Sequence, residues 1–129
     1  MSHFTQVKTK LKDRSILQAA LKRMGHTVVE GEEGRTVRGF MGETQPADFK
    51  VLTDTHYDIG FNIDAAGGYS LVGDWELLPK VSGIDAEGFL ASVKREYARE
   101  AILRTAAERG YEVQVEEKDG NLEMVVVQW

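Results

Sequence analysis

Five polar and aromatic side chains in the middle of the sequence could form a recognition surface. Asp58, Asn62 and Asp64 alternate with apolar residues, so one predicted strand would carry all three on its solvent side. Asp74 and Trp75 end the segment predicted to pair with that strand. A tryptophan beside carboxylates is the kind of anchor that protein interfaces favour. We therefore expect a protein-binding hairpin whose partner offers arginine or lysine; in the alternative, Trp75 only plugs the sheet edge.

Lys8, Lys10 and Lys12 form a candidate basic patch, because they share the solvent side of a predicted strand over residues 3–11. Such a patch could recognise an acidic partner, but lysines on an edge strand also prevent edge-to-edge aggregation. The sequence favours the protective role. Nucleic-acid binding would need a continuous basic face that also includes three cations of the following segment: Arg14, Lys22 and Arg23.

No group of residues matches a catalytic or metal-binding motif. Asp54, His56 and Asp58 are spaced two apart like the first ligands of a calcium-binding EF-hand. That loop needs glycine at its sixth position and glutamate at its twelfth, where this chain has Ile59 and Ala65. No serine lies in a Gly-x-Ser-x-Gly motif. The sequence therefore favours a non-enzymatic protein that needs no metal and no cofactor.

Composition and charge predict one cytoplasmic domain over residues 1–129. The chain is 42% hydrophobic, which is enough for one core, and it contains no cysteine for disulfides or thiolate metal sites. No apolar run approaches the roughly 20 residues that span a bilayer, so we expect no membrane partner. The net charge is −5, and no Lys or Arg lies between Val51 and Pro79. This acidity makes nucleic acid an unfavourable partner.

Two amphipathic helices are predicted from capping residues and apolar spacing. Asp13 can accept hydrogen bonds from the first turn of a helix that Gly25 ends. Asp85 can do the same for a longer helix that ends at Gly110, with Tyr97 on its apolar stripe. We expect the apolar stripes of both helices to face the core.

Strands are predicted where apolar residues alternate or flank glycine-rich turns. Three hairpins are expected, over residues 26–40, 57–76 and 111–129, with residues 42–46 as a loop. The last strand begins near Leu122 and contains a continuous apolar run, so it should be central in a sheet or covered.

These elements predict the α+β class: an antiparallel sheet with both amphipathic helices packed on one face. Residues 3–40 and 69–129 share the order strand, capped helix and hairpin, which indicates a pseudo-repeat. The favoured function is that of a non-enzymatic accessory or protein-binding domain. The alternative is a small-ligand or enzymatic pocket between helices and sheet, with three tyrosines as its polar groups: Tyr57, Tyr69 and Tyr97.

Several segments in order along the chain carry a family resemblance. They are M-S-H-F-T at the start, Y-D-I-G-F from Tyr57, G-Y-S-L-V-G-D-W from Gly68, and Tyr97-Ala98 in the helix before Gly110. Together they resemble the family of hypothetical chloroplast reading frame thirty-five over nearly the whole length. The resemblance implies a cyanobacterial, plastid or related phage origin, and a plastid stroma location if the gene is plastid-encoded. It also implies an AAA-type ATPase as a candidate partner, and it assigns no catalytic residue.

Overall fold

Five antiparallel strands form the central sheet, in the order β1–β7–β6–β5–β2. The computed structural model describes residues 4–127, so His3 of the predicted first strand lies outside the described part. The α+β class is confirmed. In chain order, the strands and helices are β1 (Thr5–Lys8), α1 (Arg14–Arg23), β2 (Val28–Val29), α2 (Gly31–Gly34), β3 (Thr36–Arg38), β4 (Thr44–Pro46), β5 (Phe49–Leu52), β6 (Asp58–Ile63), β7 (Tyr69–Gly73), α3 (Leu78–Ser82), α4 (Ala86–Glu108), β8 (Glu112–Lys118) and β9 (Asn121–Val127).

The two long helices, α1 and α4, begin at the predicted capping residues. The Asp13 carboxylate accepts a hydrogen bond from the Ile16 backbone N–H at 3.0 Å, and Asp85 accepts one from Gly88 at the same distance. Each bond satisfies a backbone donor that the first turn leaves free. None of the described helices is long and apolar enough to cross a membrane.

The main core lies between the sheet and these two helices. The Phe49 and Phe61 rings stack with their centroids 4.8 Å apart, because the two residues are directly opposite in the β5–β6 register. Burying each such side chain contributes roughly 1.5–3 kcal/mol, and this packing holds both helices on one face of the sheet. The buried residues of this core include Leu17, Leu21, Val51, Ile59, Leu71, Phe89 and Val93.

The β3–β4 hairpin covers the other face of the sheet. Val37 of β3 is fully buried over Gly60 of β6, where an added Cβ would collide with Val37 Cγ2 and lie 3.1 Å from the Ala47 Cβ. Glycine at this position lets the hairpin approach the sheet backbone closely. The result is three layers: helices, sheet and hairpin.

The central β6–β7 hairpin is confirmed, and β8 and β9 form the hairpin predicted near the end of the chain. The first strand, predicted to reach Leu11, ends at Lys8, and the prediction for residues 26–46 is corrected. Residues 26–40 do not form a hairpin, because the glycine-rich segment folds as helix α2; β2 pairs with β5, and β3 pairs with β4. Residues 42–46, predicted as a loop, contain β4. The first half of the predicted pseudo-repeat therefore lacks its hairpin.

The last strand is neither central nor covered, contrary to prediction. β9 pairs with β8 in a separate two-stranded sheet, and Val125 is 52% exposed. This hairpin lies against α4 and not in the central sheet, with Arg95 of α4 bound to Glu117 of β8 at 2.9 Å. The apolar run of β9 is thus only partly buried, by packing against α4.

Candidate functional site

A charged cluster joins the β3–β4 hairpin to the sheet: it consists of Lys50 and Asp58, which are buried, and Arg38, whose side chain is 43% exposed. The Asp58 side chain is fully buried. It accepts hydrogen bonds from the Arg38 backbone N at 2.9 Å, Arg38 Nε at 2.9 Å, Arg38 Nη2 at 2.8 Å and Lys50 Nζ at 2.9 Å. Arg38 Nη2 also donates to the Thr55 carbonyl at 3.1 Å. Three strands thus contribute one charge each to the charged cluster.

The pKa of Asp58 follows from this environment. Burial by itself raises the pKa, but the hydrogen bonds from Arg38 and Lys50 outweigh it and hold the pKa below its ordinary value. The hydrogen bond to Asp58 raises the pKa of Arg38 in turn. Because its oxygens are occupied by four donors, the ionised Asp58 carboxylate has a structural role and is not free to act as a base. The expectation that Asp58 faces solvent is wrong, because the hairpin covers this side of the strand.

Asp74 is also buried, which corrects its expected place on the surface. Its Oδ1 accepts from the Leu77 N–H at 3.2 Å, and its carbonyl accepts from the Leu78 N–H at 2.9 Å, so the residue holds the turn that precedes helix α3. Trp75 is partly buried against Phe89, with the ring centroids 6.2 Å apart. Trp75 thus packs against the main core and does not stand as an exposed interface anchor.

Asn62 and Asp64 are half-buried and bond within the protein. Asn62 Nδ2 donates to the Pro46 carbonyl at 2.8 Å, and Asp64 Oδ1 accepts from Ala66 at 2.9 Å and from Gly68 at 3.1 Å. Asn62 thereby anchors β4, and Asp64 holds the β6–β7 turn. The structure does not bring the five predicted residues together on one exposed surface.

The predicted basic patch does come together. Lys8, Lys10 and Lys12 are exposed and line one cleft of about 330 Å³ with Asp64. Lys10 has a left-handed backbone (φ 65°) and bulges from the sheet edge, since both residues flanking it bond to the Tyr69 backbone. In the part of the chain that the structure describes, none of the three forms an ion pair.

The patch does not extend into a continuous free basic face. Arg14 binds Glu30 at 3.2 Å, and Arg23 binds Glu100 at 2.8 Å. Lys22 is exposed on the same helix as these two arginines. The positive charge of that helix is therefore largely neutralised by neighbouring carboxylates.

The three tyrosines of the predicted pocket do not converge. Tyr69 is buried in the main core, and the Tyr97 hydroxyl accepts a hydrogen bond from the Asp13 backbone N–H at 3.0 Å. Tyr57 directly precedes β6 and lines a cleft on the surface. The space between helices and sheet is filled by the side chains of the main core.

Tyr57 belongs to a cleft of about 530 Å³, which we call the Met41 cleft. Its lining includes Met41, which is 84% exposed, and Val81, which is 48% exposed. Met41 and Asp54 on this cleft both have left-handed backbones, with φ 53° and 61°. His56 lies in the same lining.

The sequence reasoning missed Met41. The residue falls next to a segment predicted as a loop, where the short apolar sequence Phe40-Met41 stands between two glycines. Apolar residues in a short turn between glycines could have indicated this exposed side chain, because a surface turn offers few neighbours that could bury it.

Comparison with known proteins places the chain in a family. The profile described as "Protein of unknown function (DUF1257)" matches residues 20–127. The chain belongs to this DUF1257 family. "Uncharacterized protein ycf35" of Cyanophora paradoxa is 31% identical over 134 residues, covering 100% of this chain and 98% of the relative. The DUF1257 match and this relative confirm the resemblance to the chloroplast reading frame family.

Two other relatives carry the same description. The proteins of Pyropia yezoensis and Guillardia theta are 26% and 27% identical over 131 residues, each covering 100% of this chain and 98% of the relative. No solved structure matches the chain significantly.

Proposed function

We propose that this DUF1257 protein is a non-enzymatic accessory protein that binds a partner protein in the Met41 cleft. The observation that carries the proposal is Met41 itself, a large apolar side chain that is 84% exposed on a left-handed backbone. Left-handed backbone at a non-glycine residue costs of order 1 kcal/mol, and it persists only where the surrounding structure imposes it. A partner that covers Met41 would bury apolar surface that the isolated chain leaves in water.

The chemistry of the cleft specifies the partner. Met41, Val81 and the ring of Tyr57 offer apolar contacts, and methionine adapts readily to different partner side chains. Asp54 supplies a carboxylate, while no lysine or arginine is among the residues that line the cleft. The best fit is a protein segment with an apolar side chain next to arginine or lysine. An AAA-type ATPase, suggested by the family resemblance, is the first partner to test.

The other two functions have less support. The predicted ligand pocket would occupy the space between helices and sheet, which the main core fills. Nucleic-acid binding would use Lys8, Lys10 and Lys12, but Arg14 and Arg23 are paired with carboxylates and do not enlarge that patch. The net charge of −5 also opposes binding to phosphate backbones.

The test starts with affinity capture from the native host, identification of the captured protein, and calorimetric titration of the two purified proteins. Met41→Glu should weaken binding by about tenfold or more, as expected for loss of an interface anchor. Val125→Glu is the matched control, because it places the same charge on another exposed apolar residue, outside the Met41 cleft. It should leave the affinity unchanged.

Asp54→Asn tests the electrostatic part of the proposal. Asparagine tolerates the left-handed backbone of this position, so the fold should be unaffected. The variant should bind more weakly and with a smaller dependence on salt than the wild type. If Met41→Glu and Asp54→Asn both bind the identified partner as the wild type does, the partner docks elsewhere and the proposal is wrong.

A further inference from the structure

A second cleft, of about 440 Å³, opens over the charged cluster. Arg38 and Lys50 contribute charge and Val29 and Leu52 contribute apolar walls, and Thr36 and Glu33 complete the lining. We call it the Lys50 cleft. It is separate from the Met41 cleft, and no sequence motif contains its lining residues.

The charged cluster has more hydrogen-bond donors than the protein uses. The Lys50 side chain is only 9% exposed, and within the described residues its ammonium makes one hydrogen bond, to Asp58 Oδ2. An ammonium has three N–H groups, so two are left without a protein acceptor. Arg38 donates through its backbone N, Nε and Nη2, while Nη1 makes no hydrogen bond within residues 4–127. Asp58, with four donors already on its oxygens, cannot take the remainder.

The charge and the lining of the Lys50 cleft indicate which kind of ligand could accept hydrogen bonds from these free N–H groups. Two cations face one carboxylate in the charged cluster, which leaves one net positive charge beside the cleft. Glu33 is exposed in the lining and repels any anion, and it repels a doubly charged anion more strongly than a singly charged one. Val29 and Leu52 are half-buried and suit an aliphatic body. These features together favour a singly charged anion with an apolar tail over phosphate or sulfate.

We propose that the Lys50 cleft binds a small organic monocarboxylate. Its carboxylate would accept hydrogen bonds from Lys50 Nζ and Arg38 Nη1, and its hydrocarbon chain would contact Val29 and Leu52. Charge-assisted bonds of this kind are stronger than neutral ones, and a mostly buried ammonium makes them stronger still. The ligand would complete the hydrogen bonding of a buried cation that the fold leaves partly unsatisfied.

The test is a titration of the ¹⁵N-labelled full chain, followed by amide chemical shifts, with hexanoate as the probe. Hexanoate should give saturable shifts at Val29, Thr36 and Lys50. Hexanol, which has the same tail without the charge, should need about tenfold or more higher concentration, and inorganic phosphate should also bind more weakly than hexanoate. Equal binding of hexanoate and hexanol, or no saturable shift with hexanoate, would overturn the proposal.

Two variants assign the contacts. Lys50→Met should abolish the preference for hexanoate over hexanol, but it also removes a partner of Asp58 and could unfold the chain. Glu33→Gln changes an exposed residue and should leave the fold intact. It should strengthen phosphate binding by about threefold or more, because the repelling charge is gone. Glu76→Gln, another exposed carboxylate outside the lining, is the control and should change nothing.

The variants decide the proposal even when Lys50→Met fails to fold. If Glu33→Gln and Glu76→Gln bind phosphate as weakly as the wild type, the lining does not select ligands by charge, and the proposal is wrong. If a folded Lys50→Met retains the preference for hexanoate, the ammonium is not the anion contact, and the proposal is equally wrong.

Discussion

At the Asp58 side chain, four hydrogen bonds replace the water that a strand carboxylate would otherwise bind. Three come from Arg38 and one from Lys50. A buried ion pair of this kind adds little net free energy to the stability of the fold, because desolvation offsets much of the attraction. Its main effect is to hold the paired groups in one position. Removing one partner, however, leaves an uncompensated buried charge. The charged cluster therefore fixes where the β3–β4 hairpin sits.

Asp58→Asn should destabilise the protein by about 3–5 kcal/mol, since Lys50 would keep a buried charge without a carboxylate. Urea unfolding followed by circular dichroism measures the free energy of unfolding. Glu76→Gln, which alters an exposed carboxylate, is the control and should change it by less than about 0.5 kcal/mol. A similar small change for both variants would show that the charged cluster contributes little to stability.

The lowered pKa of Asp58 makes this contribution depend on pH. A carboxyl group whose pKa is lower in the folded state stabilises the fold fully above its unfolded pKa, which is about 4. The contribution is lost as the pH falls through the lower pKa of the folded state. The difference in unfolding free energy between wild type and Asp58→Asn should therefore be constant near neutral pH and shrink in acid below about pH 4. Urea unfolding at a series of pH values measures it, and a difference that stays constant in acid would contradict the assignment.

Among the elements, the β3–β4 hairpin depends on the absence of a side chain beneath it. Gly60 pairs with Lys50 on one side and with Val72 on the other, in the middle of the sheet. A side chain there would push against Val37 and Ala47. The same contact that makes Gly60 necessary also buries Val37, so the hairpin and the sheet form a second, smaller core.

Gly60→Ala should destabilise the protein by about 1–3 kcal/mol, because the added methyl group collides with Val37 and the hairpin must shift. Thermal and urea unfolding measure the loss. Val37→Ala removes the methyl groups that the new side chain meets, although it is itself destabilising. The double variant should therefore lose less stability than the sum of the two single losses, which is a favourable coupling in a double-mutant cycle. If the two changes simply add, the collision is not the cause.

Across the whole molecule, most of the arginines are bound to carboxylates, and the pairs tie elements together. Arg23 of α1 binds Glu100 of α4, and Arg104 of α4 donates to Ser15 of α1 at 2.8 Å. In contrast, three lysines gather without ion pairs among the described residues on the opposite sheet edge from β2: Lys8, Lys10 and Lys12. An acidic chain thus has three cations without ion pairs side by side in one local patch.

Chelation should leave the melting temperature unchanged, because no group of three or more histidines, aspartates or glutamates is arranged to hold a metal among the described residues. Differential scanning fluorimetry with and without EDTA measures it. A decrease of several degrees that Zn²⁺ or Ca²⁺ reverses would contradict the expectation and reveal a structural metal site.

The sequence by itself determined the features that depend on near neighbours. Asp13 and Asp85 cap helices because each carboxylate meets a backbone N–H three residues later, which a sequence pattern contains in full. The alternation from Asp58 to Ile63 likewise identified β6 and its two faces. The segments that resemble the chloroplast reading frame family identified the family.

Only the tertiary structure decided which of these faces meets water. Alternation shows that Asp58 and Asn62 share one side of β6, but not that the β3–β4 hairpin lies on that side. The hairpin is held there by contacts between residues about twenty positions apart in the sequence, such as the hydrogen bonds from Arg38 to Asp58. Burial depends on the sum of such long-range contacts, so an aspartate predicted on the surface is the buried centre of a charged cluster. For the same reason Met41, in a segment without local periodicity, was left exposed on the cleft that we propose as the docking site.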